Sequence, residues 1–278
     1  MLPVIKRIER ATSEAPHDWG LNGYFFVVPD FDTLGTERQR DRVWKNTDFL
    51  RLKDRALMLL GAIAGKRVLD LGCSEGATMV YCGLQGAEVH GIDLNPTVVA
   101  TANARLRRFG ISGEARVADA TAMPYDAGYF DAAISNDFFE HVHVEDKVAA
   151  LRDVRRVLKP GAPIVIKTPN LRYLQLSLWY KRARALARLR NPFRVVIPMT
   201  PGHDDPQHIG LTTRWELTDC LVRAGFGNYE FVYAPLRRFG TRPVVELLST
   251  EVPIARDFLC EDIFVRAYCS IIETQFPD

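Results

Sequence analysis

Val68-Leu69-Asp70-Leu71-Gly72-Cys73-Ser74-Glu75-Gly76 is the stretch on which the fold turns. An apolar run of strand length breaks at Gly72, and a second glycine follows four positions later. Apolar residues suit a strand buried on both faces, and the glycines let backbone bend closely around a ligand at the strand's carboxyl end. The spacing is Gly72-x-x-x-Gly76 with Ser74 in the middle, whereas a dinucleotide fingerprint requires G-x-G-x-x-G. A nicotinamide-cofactor reading is thereby weakened.

Outward from this loop, short apolar runs alternate with amphipathic stretches, the pattern of a parallel sheet covered by helices. Strands are expected at Arg67–Leu71, Glu88–Asp93, Ala115–Asp119, Phe130–Asn136 and Pro163–Thr168. Helices are expected at Gly76–Leu84, Pro96–Phe109 and Glu145–Leu158, the last stopped by Lys159-Pro160-Gly161. Farther on, Thr213 is placed to cap a helix ending at Gly225, and Tyr229–Tyr233 and Phe264–Ile271 read as strands that close the sheet with an antiparallel edge. The expected fold class is α/β, a mostly parallel Rossmann-like sheet with helices on both faces. Residues 1–60 read as an N-terminal extension or lid. Residues 61–278 read as the main domain, carrying a basic helical insertion at 171–210.

The chain has 278 residues, 47% hydrophobic and 25% charged, enough for one large α/β domain. A formal charge of +2 argues against a nucleic-acid partner bound by bulk electrostatics. The sequence contains no run near the roughly 18 apolar residues of a spanning helix, and Lys6, Arg7, Glu9 and Arg10 interrupt any secretory core. The five cysteines form no C-x-x-C pair, which fits reduced thiols in a cytoplasmic protein.

Acidic residues recur where strands end. Asp93 lies seventeen positions after Gly76, where a carboxylate can accept both hydrogen bonds of a ribose diol. Asp119 is expected at the end of the third strand, within reach of an adenine amino group. In order, the segments at Val68–Gly76, at Gly91-Ile92-Asp93-Leu94-Asn95-Pro96, at Ala118-Asp119-Ala120 with Met123-Pro124-Tyr125, at Phe130–Ser135 and at Leu158–Ala162 closely resemble the motifs of the class I S-adenosylmethionine (SAM)-dependent methyltransferases. The resemblance covers about 66–170 and continues more faintly to 226. It implies methyl transfer from SAM, with Asp70, Gly72, Cys73, Ser74 and Gly76 near the methionine moiety. It also implies Asp93 and Leu94 at the ribose, Asp119 and Ala120 at the adenine, and Asn136 at the end of the fourth strand. Ser74 stands where many relatives have glycine.

The fourth strand runs into Asn136-Asp137-Phe138-Phe139-Glu140-His141-Val142-His143. If this segment turns helical, Asp137, Glu140 and His141 share one face at i, i+3 and i+4. Carboxylates converging with an imidazole can hold a divalent ion such as Mg²⁺. The cluster resembles that of metal-dependent class I members, in which an acid-x-x-Glu-His set is joined by a later histidine. The resemblance makes His208 that ligand, with His203 as the fallback. The same segment also occurs in relatives that use no metal, so His141 or His143 as a general base, with Glu140 beside it, and a structural role both stay open.

Residues 171–203 hold no acidic side chain but contain Arg172, Lys181, Arg182, Arg184, Arg188, Arg190 and Arg194. That insertion reads as a lid or as a helix in a homo-oligomer, as a peripheral membrane contact through 171–194, or as a grip on an anionic substrate. Trp19–Phe26 reads as an aromatic substrate lid or as packing, and Trp44-Lys45-Asn46 as a further approach to the cofactor. Three functional readings remain. The first is an O-methyltransferase acting on a small-molecule hydroxyl, with a saccharide or glycosylated metabolite first and a phenolic, quinone-type or lipid acceptor as rival. The second is a nucleotide-dependent oxidoreductase, and the third is a SAM-binding module without turnover.

Overall fold

The computed structural model describes residues 52–196, 208–234 and 243–269, with side chains from Arg55 onward. His203, Trp19–Phe26 and Trp44-Lys45-Asn46 lie outside the described residues, as do 197–207 of the basic insertion. The elements run α1 (Leu52–Leu60), β1 (Arg67–Leu71), α2 (Ala77–Leu84), β2 (Glu88–Asp93), α3 (Pro96–Phe109), β3 (Gly113–Val117), β4 (Ala132–Asn136) and α4 (Val144–Val157). They continue with β5 (Pro163–Pro169), α5 (Leu171–Ala187), α6 (Arg214–Arg223), β6 (Asn228–Val232), α7 (Pro243–Thr250), α8 (Pro253–Leu259) and β7 (Asp262–Tyr268). Short 3₁₀ turns span Phe139–His141 and Pro192–Arg194.

The seven strands lie in the order β3-β2-β1-β4-β5-β7-β6. β3, β2, β1, β4 and β5 pair in parallel, and β7 runs antiparallel to both β5 and β6, so the antiparallel pairings gather at one edge as expected. Neighbouring residues along a strand serve opposite faces. Val68, Ile134 and Val165 pack with α1, α2 and α3, while Leu69, Ala133, Ile164 and Ile166 pack with α4 and α6. Ala56–Leu60 of α1 are buried in the first of these cores, so this helix packs with the sheet.

Local signals set the helix ends. Asn95 Oδ1 accepts from Thr97 N–H ahead of Pro96, and Gly110 ends α3 in the left-handed region. Thr213 and Glu216 form a reciprocal capping box on α6. Strand boundaries moved more. The third strand covers Gly113–Val117, so Asp119 lies beyond its end: Asp119 Oδ1 accepts from both Thr121 N–H and Thr121 Oγ1 at 2.8 Å, which curls the chain off the sheet. Phe130 makes only an isolated bridge to Leu158, leaving β4 to begin at Ala132. The last strand occupies Asp262–Tyr268, beginning two positions and ending three positions before the expected Phe264–Ile271.

Candidate active site

The loop after β1 is held in an unusual backbone shape. Gly72, Ser74 and Gly76 have φ of 73°, 48° and 78°. Gly72 N–H and Cys73 N–H both donate to Ile92 O, at 3.0 and 2.9 Å, tying the loop to the end of β2. A Cβ on Gly72 would stand 2.6 Å from Phe138 Cδ2, so the glycine is required by contact as well as by φ. Ser74 tolerates the left-handed region at a cost of roughly 1–2 kcal/mol. Its N–H donates to Asp93 Oδ2 at 3.0 Å, while Asn95 N–H donates to Oδ1 at 2.9 Å. Each oxygen of that carboxylate therefore keeps acceptor capacity for a diol. From behind, the buried Arg105 of α3 donates to Glu75 O at 2.8 Å and to Glu75 Oε2 at 2.6 Å.

The remaining cofactor candidates surround this loop. Asp70 is buried beneath it, and Leu94 is exposed beside Asp93. Burial first, then Asp70 and Asp93, push the Cys73 thiol far above its ordinary range, so Cys73 packs as a neutral thiol. Thr121 N–H and then its hydroxyl hold the Asp119 carboxyl below its usual range. Ala120 is buried next to it, and Asp153 and Arg156 of α4 bind the backbone of Met123 and Tyr125. Asn136 Nδ2 donates to Thr78 Oγ1 at 3.2 Å, while its buried Oδ1 has no donor among the described residues. A buried acceptor left unmet costs roughly 1–3 kcal/mol, and a ligand donor arriving at this strand end would satisfy it. The left-handed loop, the oriented Asp93 and the open Asn136 oxygen fit SAM.

The segment after β4 does not turn α-helical, the condition on which Asp137, Glu140 and His141 would share a face. Asp137 sits in the left-handed region with φ 60°, and a 3₁₀ turn starts only at Phe139. Asp137 is therefore off the face of Glu140 and His141, and its carboxylate pairs with the buried Lys167 Nζ of β5. Lys167 also pairs with Asp262 of β7 at 3.3 Å. Burial opposes its charge, but Asp262 and Asp137 hold the Lys167 pKa above its usual value. Burial drives the Asp262 carboxyl up to about 6 in spite of Lys167.

Glu140, His141 and His208 do converge: one ligand atom from each lies within 4.8 Å of the others. Glu140 is buried and accepts from Thr168 Oγ1 at 3.0 Å, and burial followed by Asp137 raises its pKa. The His141 and His208 rings face each other at 4.9 Å between centroids. His143 is exposed at the start of α4 and stands outside this group.

His208 arrives through a backbone clasp. Gly210 N–H donates to Glu140 O at 2.8 Å, and the buried Lys147 Nζ donates to Gly210 O. A Cβ on Gly210 would lie 1.9 Å from Val142 O, so only glycine lets 208–211 lie this close to the turn. Lys147, Gly210, Thr168 and Lys167 are the site residues that motif reading missed. Two had a visible signal. Lys147 takes a place on the apolar stripe of Val148, Leu151 and Val154, and Lys167 interrupts the buried run Ile164-Val165-Ile166.

Residues 69–166 match a family model described as a methyltransferase domain. Norajmaline N-methyltransferase of Rauvolfia serpentina is 38% identical over 36% of this chain and 35% of its own length. The O-methyltransferase resE of Aspergillus sclerotiorum is 29% identical over 68% of this chain and 64% of its own. The chain thus spans between about a third and two thirds of these curated relatives. The crystal structure of a SAM-dependent methyltransferase from Methanosarcina mazei superposes with a TM-score of 0.52 at 21% identity, covering 74% of this chain and 93% of that one, which shows a shared fold. Residues 69–166 thus match a methyltransferase domain, on a sheet whose fold is shared with a SAM-dependent methyltransferase of known structure.

Proposed function

We propose that this protein transfers the methyl group of SAM to a hydroxyl of a small molecule, with a divalent cation on Glu140, His141 and His208 assisting the acceptor. The observation that carries the reading is the convergence of those three side chains directly after β4, on the segment whose Phe138 packs against Gly72. Bound SAM supplies an electrophilic methyl group on a sulfonium, and transfer is an in-line displacement that depends on alignment. The Gly72–Gly76 loop and Asp93 orient the donor. Glu140, His141 and His208 receive the acceptor side. A cation held there would lower the pKa of a hydroxyl, which an alcohol needs and an amine does not.

The donor set refines the choice of ion. With Asp137 occupied by Lys167, two imidazoles and one carboxylate remain, which suit Mn²⁺, Fe²⁺ or Zn²⁺ better than Mg²⁺. Vicinal hydroxyls of a saccharide, or of a catechol, can chelate such an ion. Of the two relatives above, resE is named an O-methyltransferase and the Rauvolfia protein an N-methyltransferase; the cation cluster favours oxygen here. The test is SAM turnover on saccharide, catechol and amine acceptors, in EDTA and with Mg²⁺, Mn²⁺ or Zn²⁺ restored. Activity should vanish in EDTA, return with an added ion, and be lost in Glu140→Ala while SAM still binds. Undiminished turnover in EDTA would remove the ion and leave His141 as general base, a second reading supported by its exposed ring against His208.

A further inference from the structure

α5 leaves the sheet beside the site and then turns into something the methyl-transfer chemistry does not use. Its first turns are anchored: Asn170 caps the helix, Tyr173 hydroxyl donates to Glu261 at 3.0 Å, and Arg172 stacks on Trp215 and Phe258. Beyond that, Leu174 and Ala185 are its buried residues. Leu176, Trp179, Ala183 and Leu186 recur at i, i+3, i+7 and i+10, forming one exposed stripe. Lys181, Arg184 and Arg188 recur at i, i+3 and i+7 and form a second stripe along its flank.

The cationic stripe continues past the helix end. A groove of about 590 Å³ is lined by Lys181, Arg184, Arg188, Arg190 and Arg194. Among the described residues, none of these five side chains makes an ion pair or a hydrogen bond. Apolar side chains stand around it: Leu189 is 98% exposed, Phe193 79% and Trp179 71%. Leu189 adds a second anomaly. It ends α5 in the left-handed region at φ 54°, with Leu189 N–H on Leu186 O and Arg190 N–H on Ala185 O, both at 2.9 Å. That is a helix-ending geometry in which glycine or asparagine is the local optimum. A leucine here is locally unfavourable twice over, in backbone and in solvation, which points to a role outside the folded chain.

We propose that the end of α5 and the following turn dock this protein on an anionic lipid surface, the five cations meeting headgroup phosphates and Leu186, Leu189 and Phe193 entering the interface. Charge complementarity selects the occupant. A groove of unpaired cations needs a dense anionic partner, and aliphatic side chains need an apolar layer behind the anions. An RNA backbone offers the phosphates but no such layer for Leu189. The groove lining begins at Lys181, about 15 Å along α5 from Leu171 at 1.5 Å of rise per residue, and includes none of the residues of the Glu140 cluster or the Gly72–Gly76 loop.

The test is flotation of the full chain with vesicles of phosphatidylcholine alone and of phosphatidylcholine with about a third phosphatidylglycerol, at low and high salt. The protein should float with the anionic vesicles only and be released as salt rises. Arg184→Gln with Arg188→Gln should weaken partitioning about 25-fold, at about fivefold per cation. Leu189→Asn should weaken it tenfold or more while thermal stability is kept or raised, because asparagine suits that backbone. Flotation with neutral vesicles alike, or none with anionic ones, would overturn the proposal. So would binding of inorganic diphosphate or RNA that depends on Arg184 and Arg188 in a protein that does not float.

Discussion

Gly210→Ala probes the contact that seats 208–211, and with it His208, on the 139–142 turn. The new Cβ would fall 1.9 Å from Val142 O, 2.8 Å from Val142 C and 3.0 Å from Phe139 O, all backbone atoms that no rotamer change can clear. To reach van der Waals separation, 208–211 must retreat by roughly an ångström or more. That retreat breaks the 2.8 Å bond from Gly210 N–H to Glu140 O, worth about 1 kcal/mol, and takes the acceptor away from buried Lys147, worth roughly 1.5–3 kcal/mol for a charged donor. The expected loss is about 2.5–4 kcal/mol, which for a domain of this size lowers Tm by roughly 5–16 °C. Thermal unfolding reads the stability, and calorimetric titration with SAM reads the cofactor loop. SAM affinity should stay within about twofold, since Gly72–Gly76 and Asp93 touch none of the displaced atoms, while turnover falls because His208 leaves His141. A variant with the Tm and turnover of the parent would refute the seating of 208–211 on the 139–142 turn, and with it the three-residue cluster.

Two further changes separate the cofactor loop from the charge network under it. Gly72→Ala combines a left-handed backbone at φ 73° with a 2.6 Å approach to Phe138, so it should cost about 2–4 kcal/mol in thermal unfolding and weaken SAM binding at least tenfold by calorimetry. The Asp262 carboxyl keeps its proton up to about pH 6 in the folded protein, against about 3.9 in an unfolded chain. Between those values the folded state binds more protons, so the stability this group contributes falls as pH rises through that window, by on the order of 3 kcal/mol. Asp262→Asn should flatten that part of a Tm-against-pH series; an unchanged slope would show that Asp262 titrates in the ordinary range.

What the sequence disclosed followed the range of the interactions. The capping signals at Asn95 and Thr213 act within a few residues of themselves and were legible; Gly72 and Asp93 were legible from their places at strand ends, although their partners Phe138 and Ser74 lie far along the chain. Asp137 was misplaced because periodicity predicts where side chains point only if the helix forms. Here Lys167, thirty positions away, captures the carboxylate and the backbone turns left-handed instead. Asp119 shifted off its strand for a local reason, the bonds to Thr121, that an Asp-x-Thr spacing already contains. Gly210 gave no signal, because its requirement is a contact with Val142 rather than a turn.

The six residues from Asn136 to His141 join the two halves of the site. Asn136 reaches Thr78 at the start of α2, Phe138 packs against Gly72, and Glu140 and His141 face His208. Asn136, Phe138, Glu140 and His141 therefore stand on one short stretch of backbone, in which Asn136, Phe139 and Glu140 are buried. Asp137 lies at its centre, and the Lys167–Asp262 pair fixes it to two neighbouring strands. In-line transfer tolerates little error in that separation. A buried lysine between two carboxylates is a costly device for stability alone, since apolar packing at the same place serves as well or better. On the methyl-transfer reading proposed above, its place beside both the Gly72 contact and Glu140 assigns it the setting of the donor-to-acceptor distance.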